Sequence, residues 1–177
     1  AVVLGVQGLV LSPPNRAGAE PITMTGSGIE GDPYIVTSAE ELEQVRNDLS
    51  AWYVLDRDIT LTGEWTPIGN YYEDYQWKAS EFTGHFDGGG HAIAGLHVDT
   101  GFSSQTEAGL FGSIGATGVV ENLTLQSPTV TDSFNPGSAG ALAGKLAGIV
   151  SNVQVAEGSV TNKFSAKIGG LIGMGLA

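Results

Sequence analysis

Three histidines lie close together in the sequence, and imidazole nitrogens are common ligands of zinc. His85, His91 and His97 follow one another at intervals of six residues. Beside the apolar residues Phe86 and Val98, His85 and His97 have the parity of outward positions on alternating strands, and His91 falls in a turn. The sequence also lacks a His-Glu-x-x-His run. We therefore expect the histidines to be spread over the surface, and we predict no metal site and no cofactor.

Six acidic residues provide carboxylate pairs of the kind that act as acid and base in glycosidases and lyases. They are Asp56, Asp58, Glu64, Glu73, Asp74 and Asp87. Asp56 and Asp58 lie beside a predicted strand, and Asp87 precedes three glycines, which is typical of a tight turn. A structural calcium ion is an alternative role, but EF-hand spacing is absent. The prediction is that these residues are structural or solvent-facing and that none is catalytic.

Aromatic residues are concentrated between positions 52 and 77. They are Trp52, Tyr53, Trp65, Tyr71, Tyr72, Tyr75 and Trp77. Aromatic loops on rigid scaffolds commonly recognise sugars and proteins. The segment 70–80, NYYEDYQWKAS, interrupts the rhythm of the surrounding sequence, so Tyr71, Tyr72, Tyr75 and Trp77 are the predicted ligand-binding residues. The alternative is that these rings cover the apolar interior of a neighbouring element.

Composition excludes several classes of protein. The chain has 7 Lys and Arg against 19 Asp and Glu, a net charge of -12, which argues against nucleic acid as a partner. No cysteine is present, so disulfides and thiol chemistry are excluded. The 27 glycines follow no Gly-X-Y period, which excludes collagen and favours β structure rich in turns. A hydrophobic share of 41% is enough to fill a core.

The first residues resemble part of a secretory signal. The stretch 1–12, AVVLGVQGLVLS, is apolar, and Ala17-Gly18-Ala19 resembles a cleavage site. The prediction is that residues 1–19 are a signal-peptide remnant and that the protein is secreted or located at the cell surface. The alternative is a buried strand at the start of the folded protein. Twelve apolar residues are too few to cross a bilayer as a helix, so no transmembrane span is predicted.

Residues 20–81 are predicted to form an N-terminal cap and the first strands. Ser38 and Glu41 have the spacing of a capping box, which predicts a helix from Ser38 to about Leu49. Leu42, Val45 and Leu49 form one apolar stripe on that helix. Such a stripe needs an apolar surface to pack on, and the open end of a repeating structure would provide it.

Residues 82–177 repeat a common pattern. The apolar positions Phe82, Leu110, Leu142 and Leu171 are 28, 32 and 29 residues apart, and each begins a short motif that contains glycine. A second block, 93–98, matches 120–125 and 150–155. These strands alternate in hydrophobicity and are interrupted at Gly95, Asn122 or Asn152. We expect the sequence to stop in the middle of a repeat at its last residue.

Because apolar and polar residues alternate, each strand buries one of its faces. Stacking the repeats about 4.8 Å apart buries the apolar face of every repeat against its neighbours. The fold class predicted is all-β, a right-handed parallel β-helix (solenoid) with a short N-terminal capping helix. Asn122 and Asn152 should stack at one corner. The predicted core consists of Phe86, Ile93, Leu96, Val98, Leu110, Ile114, Val120, Leu123, Leu125, Leu142, Leu146, Val150, Val153 and Val155.

Short Thr-rich segments recur at the same interval. Thr129-Val130-Thr131 and Ser159-Val160-Thr161 are 30 residues apart, and rows of this kind occur on ice-binding solenoids. The segment 97–99 precedes them in the expected stack and would interrupt the row with histidine and aspartate. An ice-binding surface is therefore an alternative that only two rungs support.

Three glycine-flanked segments resemble the GLUG motif of bacterial surface proteins. They are Gly109-Leu110-Phe111-Gly112, Gly140-Ala141-Leu142-Ala143-Gly144 and Gly170-Leu171-Ile172-Gly173. The second copy departs from the pattern at Ala141 and Ala143. The resemblance covers about residues 28–177 and implies a module that also occurs in the non-catalytic parts of IgA-specific metallopeptidases.

The functional hypothesis follows from these observations. We interpret the chain as a non-catalytic scaffold or adhesion segment of a larger bacterial protein. Its predicted partners are a host glycoprotein, a polysaccharide or neighbouring surface proteins. The alternatives are a carbohydrate-active β-helix enzyme, either a lyase or a glycosidase, and the non-catalytic front end of a surface metallopeptidase.

Overall fold

The computed structural model describes residues 23–73, 76–101, 107–133, 137–163 and 167–176, and for residues 70–73 and 76–79 it describes the backbone only. The chain begins with strand β1 (Tyr34–Val36), helix α1 (Ala39–Gln44) and a 3-10 turn (Val45–Asn47). Strands β2 (Trp52–Leu55) and β3 (Ile59–Thr60) follow, and then β4 (Asn70–Glu73) and β5 (Gln76–Ala79).

Three circuits of the chain, which we call coils, make up the rest. The first coil contains β6 (His85–Asp87), β7 (Ala92–Ala94), β8 (His97–Asp99), β9 (Glu107–Ala108) and β10 (Phe111–Ile114). The second contains β11 (Val119–Gln126), β12 (Thr129–Asp132), β13 (Ser138–Ala139) and β14 (Ala143–Leu146). The third contains β15 (Ile149–Ala156), β16 (Ser159–Asn162), β17 (Lys167–Ile168) and β18 (Ile172–Gly175).

Equivalent strands of successive coils pair in parallel. The long sheet has the order β1-β2-β6-β11, with β15 on the far side of β11, and β3 and β7 continue it beside the second half of β11. Three further sheets have the orders β8-β12-β16, β9-β13-β17 and β10-β14-β18. The prediction of an all-β, parallel solenoid is thereby confirmed, with about three coils.

The predicted core forms one continuous cluster. Ten of its members are buried, and Leu146, Val150, Val153 and Val155 pack against them while remaining partly exposed. Register partners such as Leu123 and Val153 stack directly. Val150, Val153 and Val155 lie in β15, whose outer edge has no partner among the described residues. Leu146 lies in β14 and has the small residue Gly175 of β18 as its partner.

The predicted alignment of the first coil is wrong in register. Phe86 pairs with Val120 and Ile93 pairs with Leu125, whereas the sequence alignment placed Ile93 over Val120. The loop at 88–91 connects β6 and β7 and is two residues longer than the equivalent segment of β11; we call this turn the first corner. Glycine is needed there because a Cβ built on Gly88 would lie 2.7 Å from the Cα of Leu123 in the next coil. Alternating apolar residues fit several registers, so the hydrophobic pattern did not reveal this insertion.

Phe82 is likewise not the equivalent of Leu110. It forms a bridge to Ile114, and Ile68 forms the bridge to Phe111. Trp65 and Ile68, in the segment before β4, are both buried in the core. The later copies were aligned correctly, since Phe111 pairs with Ala143 and Ala143 pairs with Ile172.

The helix begins at the predicted capping box. The Ser38 hydroxyl accepts a hydrogen bond from the amide of Glu41 at 3.2 Å, and the Glu41 carboxylate accepts from the amide and hydroxyl of Thr37, both at 2.7 Å. The bond from Ser38 satisfies an amide that the start of the helix leaves free, and the bonds to Thr37 hold the residue before the cap. Leu42 and Val45 are fully buried in the common core. The α-helix ends at Gln44, earlier than predicted, and continues as the 3-10 turn.

A ladder of side chains holds the first corner. Asn122 and Asn152 adopt left-handed backbone conformations, with φ of 54° and 49°. Asn152 Nδ2 donates to Asn122 Oδ1 at 2.9 Å, and Asn122 Nδ2 donates to Asp87 Oδ1 at 3.0 Å. The predicted stacking of Asn122 and Asn152 is confirmed. Gly95 belongs instead to the second corner, since its amide donates to the carbonyl of Gln126.

The predicted signal segment 1–19 lies outside the described residues. Within the part of the chain that the structure describes, no helix has the length and apolarity needed to cross a membrane.

Candidate functional site

The predicted ligand-binding segment forms a β-hairpin that leaves the stack of coils. Strands β4 and β5 pair antiparallel, and the hairpin starts after Ile68 and ends before Phe82. In the next coil the residues equivalent to Ile68 and Phe82 are Phe111 and Ile114. Residues 69–81 therefore occupy the place that Gly112 and Ser113 fill in that coil, and the hairpin is an insertion into one strand.

Glycine is required where the hairpin leaves the coil. Gly69 has φ of 91°, and a Cβ built on it would lie 2.6 Å from the carbonyl oxygen of Ser80. The amide of Ser80 donates to the carbonyl of Gly69 at 2.8 Å and closes the base of the hairpin. The amide of Phe82 then resumes the ladder by donating to the carbonyl of Ser113 at 2.9 Å. The insertion thus leaves the pairing between coils intact.

The hairpin register brings three of the four predicted residues together along one ribbon. Tyr72 is the cross-strand partner of Trp77, and Tyr71 is the partner of Lys78. Tyr75 lies outside the described residues, as do the side chains of the other three. Their role as ligand-binding residues stays a prediction.

A second group of side chains lies on the long sheet, on the strand positions that alternate with core residues. Register places Trp52 beside His85, and it places Asp87, Glu121 and Ser151 in one row. We call these five residues the outer strip. The rings of Trp52 and His85 are in contact, with centroids 4.2 Å apart and ring planes tilted by 51°. Sequence reasoning missed this group because the register error hid the alignment of Asp87 with Glu121.

Hydrogen bonds between coils fix both carboxylates of the outer strip. Glu121 Oε1 lies 2.9 Å from His85 Nε2, and Glu121 Oε2 accepts from the Ser151 hydroxyl at 3.1 Å. Asp87 Oδ1 accepts from the amide of Gly89 at 2.8 Å as well as from Asn122. The His85 and Glu121 side chains are 19% and 31% exposed. The strip is thus a hydrogen-bonded, partly accessible surface that offers carboxylate oxygens beside a pair of aromatic rings.

The three histidines occupy separate surroundings. His85 contacts Glu121, His91 Nδ1 lies 3.3 Å from Asp58 Oδ1, and His97 is exposed on β8 as the partner of Thr129. Among the described residues, no three His, Asp or Glu side chains are grouped in a way that could hold a metal ion.

The remaining acidic candidates are also dispersed. Asp58 Oδ1 accepts from the amide of Ala92 at 2.9 Å, and this bond, with a smaller contribution from His91, lowers the pKa of the Asp58 carboxyl. Asp56 and Glu64 are exposed. Asp74 and the side chain of Glu73 fall outside the described residues.

A buried polar cluster at another corner also escaped sequence reasoning. Asp132 is fully buried and accepts from the Thr100 hydroxyl at 3.0 Å and from Asn162 Nδ2 at 2.7 Å. The signal was present, since Asp132 and Asn162 directly follow the two Thr-rich segments. Those segments pair in the predicted register, and His97 precedes Thr129 in the same row.

Comparison with known proteins identifies two proteins of similar sequence and one solved structure with a similar fold. No described protein family matches the chain. A "Putative Gly-rich membrane protein" of Evansella cellulosilytica is 36% identical over 135 residues, which are 75% of this chain and 15% of that protein. "Halomucin" of Haloquadratum walsbyi is 35% identical over an alignment of 162 residues that covers 84% of this chain and 2% of that protein. The chain thus matches a small part of each relative.

A solved structure shares the fold. It is the crystal structure of a putative immunoglobulin A1 protease from Bacteroides ovatus, with a TM-score of 0.51 and 16% sequence identity. The match covers 86% of this chain and 56% of the other. At this identity the likeness establishes a common solenoid architecture.

Proposed function

We propose that this chain is a non-catalytic scaffold and adhesion segment of a larger bacterial protein that is secreted or located at the cell surface. The observation that carries the proposal is the hairpin β4–β5, which is inserted into an otherwise continuous stack of coils and forms a separate two-stranded sheet. Parallel pairing on the coils beneath gives the hairpin a fixed base, and loops on rigid scaffolds commonly serve in recognition. The name of the Evansella relative, a membrane protein, supports a location at the surface.

The hairpin supplies the binding residues in this proposal. Tyr71, Tyr72, Tyr75 and Trp77 provide aromatic rings, which have an apolar face for sugar rings and polar groups for hydrogen bonds. A host glycoprotein, a polysaccharide or a neighbouring surface protein would each offer suitable contacts.

We assign the repeat to the GLUG type and the solenoid to the right-handed class, the hand of nearly all parallel crossover connections. Close backbone contact explains the second glycine of the motif. A Cβ on Gly144 would lie 2.8 Å from the carbonyl oxygen of Ser138, and one on Gly173 would lie 2.6 Å from the amide nitrogen of Ala139. Each glycine therefore lets its own strand pass close to the short strand β13.

Helix α1 caps the first end of the solenoid in this proposal. Its residues Leu42 and Val45 join the common core, and Gln44 bonds to Thr23. The segment near Thr25 forms an antiparallel bridge to Ile35 and so lies on β1. We propose the division into a signal-peptide remnant (1–19), a cap with the first strands (20–81) and the coils (82–177). Strands β2 and β3 of the middle part already pair in parallel with β6 and β7 of the first coil.

The proposal is tested by removing the hairpin from the scaffold. Replacing residues 69–81 by Gly-Ser copies the strand between Phe111 and Ile114, so the stack should survive. We expect the unaltered chain to bind one or more members of a glycan and glycoprotein array, and the Gly-Ser variant to lose that binding at an unchanged melting temperature. A variant that keeps full binding would refute the role of the hairpin.

A carbohydrate-active enzyme is the second candidate, because Asp87 and Glu121 are register partners beside His85. Neighbouring strands lie about 4.8 Å apart, so two carboxylates on one rung could serve as an acid and base pair. The test is release of reducing ends from a panel of neutral and acidic polysaccharides by the chain and by Glu121→Gln. If the chain releases reducing ends and Glu121→Gln abolishes that activity, the enzyme hypothesis replaces the scaffold proposal. The name of the Bacteroides neighbour favours a third arrangement, the non-catalytic front end of a surface peptidase.

A further inference from the structure

The outer face of the long sheet carries two rows of side chains that cross the coils. Each strand turns alternate residues inward, as the burial of Tyr53, Phe86 and Val120 shows, and the residues between them point outward. The pairing register aligns these outward residues from strand to strand. The first row is Trp52, His85, Val119 and Ile149, and the second row is Ile35, Val54, Asp87, Glu121 and Ser151.

We propose that these two rows are a docking surface for an extended segment of a partner protein in which apolar and basic side chains alternate. The surface contains the outer strip and adds four aliphatic residues to it. It lies on a different sheet from the hairpin, so the inference adds a second contact surface to the scaffold and does not require the hairpin to bind a ligand.

The aliphatic side chains on this outer face favour a protein partner. Val54 and Val119 are partly exposed although their strands have a paired strand on each side, so their exposure is a property of the outer face. Farther along β11 the outward positions are instead polar, at Thr124 and Gln126. Contiguous apolar side chains on a surface commonly mark a contact with another protein, because burying them on association is favourable.

The charge of the surface favours a basic partner. The seven strands of the long sheet contain two carboxylates, Asp87 and Glu121, and no lysine or arginine. Glu121 is bonded to His85 and Ser151, whereas Asp87 Oδ2 accepts no hydrogen bond from a described residue. Trp52 adds an indole ring, which attracts lysine and arginine side chains. An acidic partner would meet charge of its own sign, in a chain whose net charge is already -12.

The spacing of the rows favours alternation in the partner. Neighbouring strands lie about 4.8 Å apart, so the second row, which crosses five strands, is about 19 Å long and matches about six extended residues. An extended segment that lies between the rows directs successive side chains to opposite sides. Apolar side chains then reach Val119 and Ile149 in one row, and basic side chains reach Asp87 and Glu121 in the other.

The test titrates the chain with a hexapeptide of alternating leucine and lysine, with blocked ends, at low ionic strength. We expect NMR shifts of backbone amides in β2, β6 and the first half of β11, and none in β7, which lies beside the polar half of β11. Glutamate in place of the lysines, or serine in place of the leucines, should weaken binding at least about fivefold. Absent shifts, or equal binding by either altered peptide, would overturn the proposal.

Two lysine variants of the protein locate the surface. Val119→Lys places a positive charge within the first row and should weaken binding of the hexapeptide at least about fivefold. Thr124→Lys is the matched control, since it adds the same charge to the outer face of the same strand but outside the two rows. Equal affinities of the two variants would show that the peptide binds elsewhere. The altered peptides leave the protein unchanged, so they decide the question even if Val119→Lys lowers stability.

A tetramer of glucosamine tests a cationic sugar as the occupant instead. Equal affinity for this sugar, with shifts of the same amides, would overturn the assignment to a protein segment. The Gly-Ser variant that lacks residues 69–81 should bind the hexapeptide as the unaltered chain does. Loss of glycan binding in that variant concerns the hairpin alone, so the proposed function and this inference can fail separately.

Discussion

At the scale of single residues, corner side chains connect coils that are about 30 residues apart in sequence. Asp87, Asn122 and Asn152 form one ladder, and Thr100, Asp132 and Asn162 form another. Asn122 and Asn152 also have positive φ, a conformation that asparagine tolerates better than most residues. One residue type thus satisfies both the backbone of the corner and the bond to the next coil.

Asn122→Asp should destabilise the protein by roughly 1–3 kcal/mol, because the donor to Asp87 is lost and two carboxylates are brought together. Gln154→Glu is the matched control: it makes the same change from amide to carboxylate at an exposed position of β15. Urea unfolding of both variants measures the difference. Equal free energies of unfolding would contradict the ladder at position 122.

The contribution of Asp58 should depend on pH. The Ala92 amide and His91 lower the pKa of Asp58 in the folded state, so its ionised form stabilises the fold above the unfolded pKa of about 4. That stabilisation is lost as the pH falls through the lower folded pKa. Asp58→Asn should therefore be less stable than the parent at pH 7, and the two should converge as the pH is lowered towards about 2. A difference independent of pH would be the contrary result.

At the scale of elements, the glycine motif has a steric cause. Gly144 lies against the short strand β9 of the first coil, where a Cβ would be 2.7 Å from the Cβ of Glu107. Gly109 and Gly140 are covered by the following coil, since a Cβ on each would lie 2.6 Å from a carbonyl oxygen there. Gly170 is their equivalent in the third coil and has nothing within 4 Å, because no described coil lies beyond it.

Gly144→Ala should cost about 1–3 kcal/mol, because the strands must separate to accept the methyl group. Gly170→Ala should change the free energy of unfolding little, since nothing lies within 4 Å of the added carbon and φ is not in the left-handed region. Thermal unfolding of the two variants makes the comparison. Similar losses at both positions would show that the packing argument is wrong.

At the scale of the whole molecule, burial falls from the first coil to the third. Exposed apolar side chains in the third coil include Ile149 at 60% and Ile168 at 49%. Strand edges without a partner readily pair with other chains, and lysine on an edge strand opposes such pairing. The first end differs, because the segment near Thr25 forms a bridge to β1 there.

The isolated chain should therefore associate through its third coil in a concentration-dependent way. Sedimentation velocity should detect dimers or larger species, and the double variant Ile149→Lys, Ile168→Lys should shift them towards monomer. Lysine at Gln154 is a control for added charge alone. A chain that stays monomeric at high concentration would contradict this expectation.

The sequence by itself determined the repeat, the alternation that specifies a solenoid, the capping box at Ser38 and the stacking of Asn122 with Asn152. These features depend on local chemistry or on a regular interval of about 30 residues, and both can be read along the chain. The same regularity aligned Leu110, Leu142 and Leu171 correctly.

Only the tertiary structure decided the register of the first coil and the positions of the polar contacts. Apolar alternation is satisfied by several registers, so Ile93 fitted Val120 in sequence while its backbone pairs with Leu125. The hairpin after Ile68 divides one strand between two distant segments, which removes the regular interval there. The outer strip and the Asp132 cluster depend on which residues become neighbours across coils, and lateral pairing alone decides that.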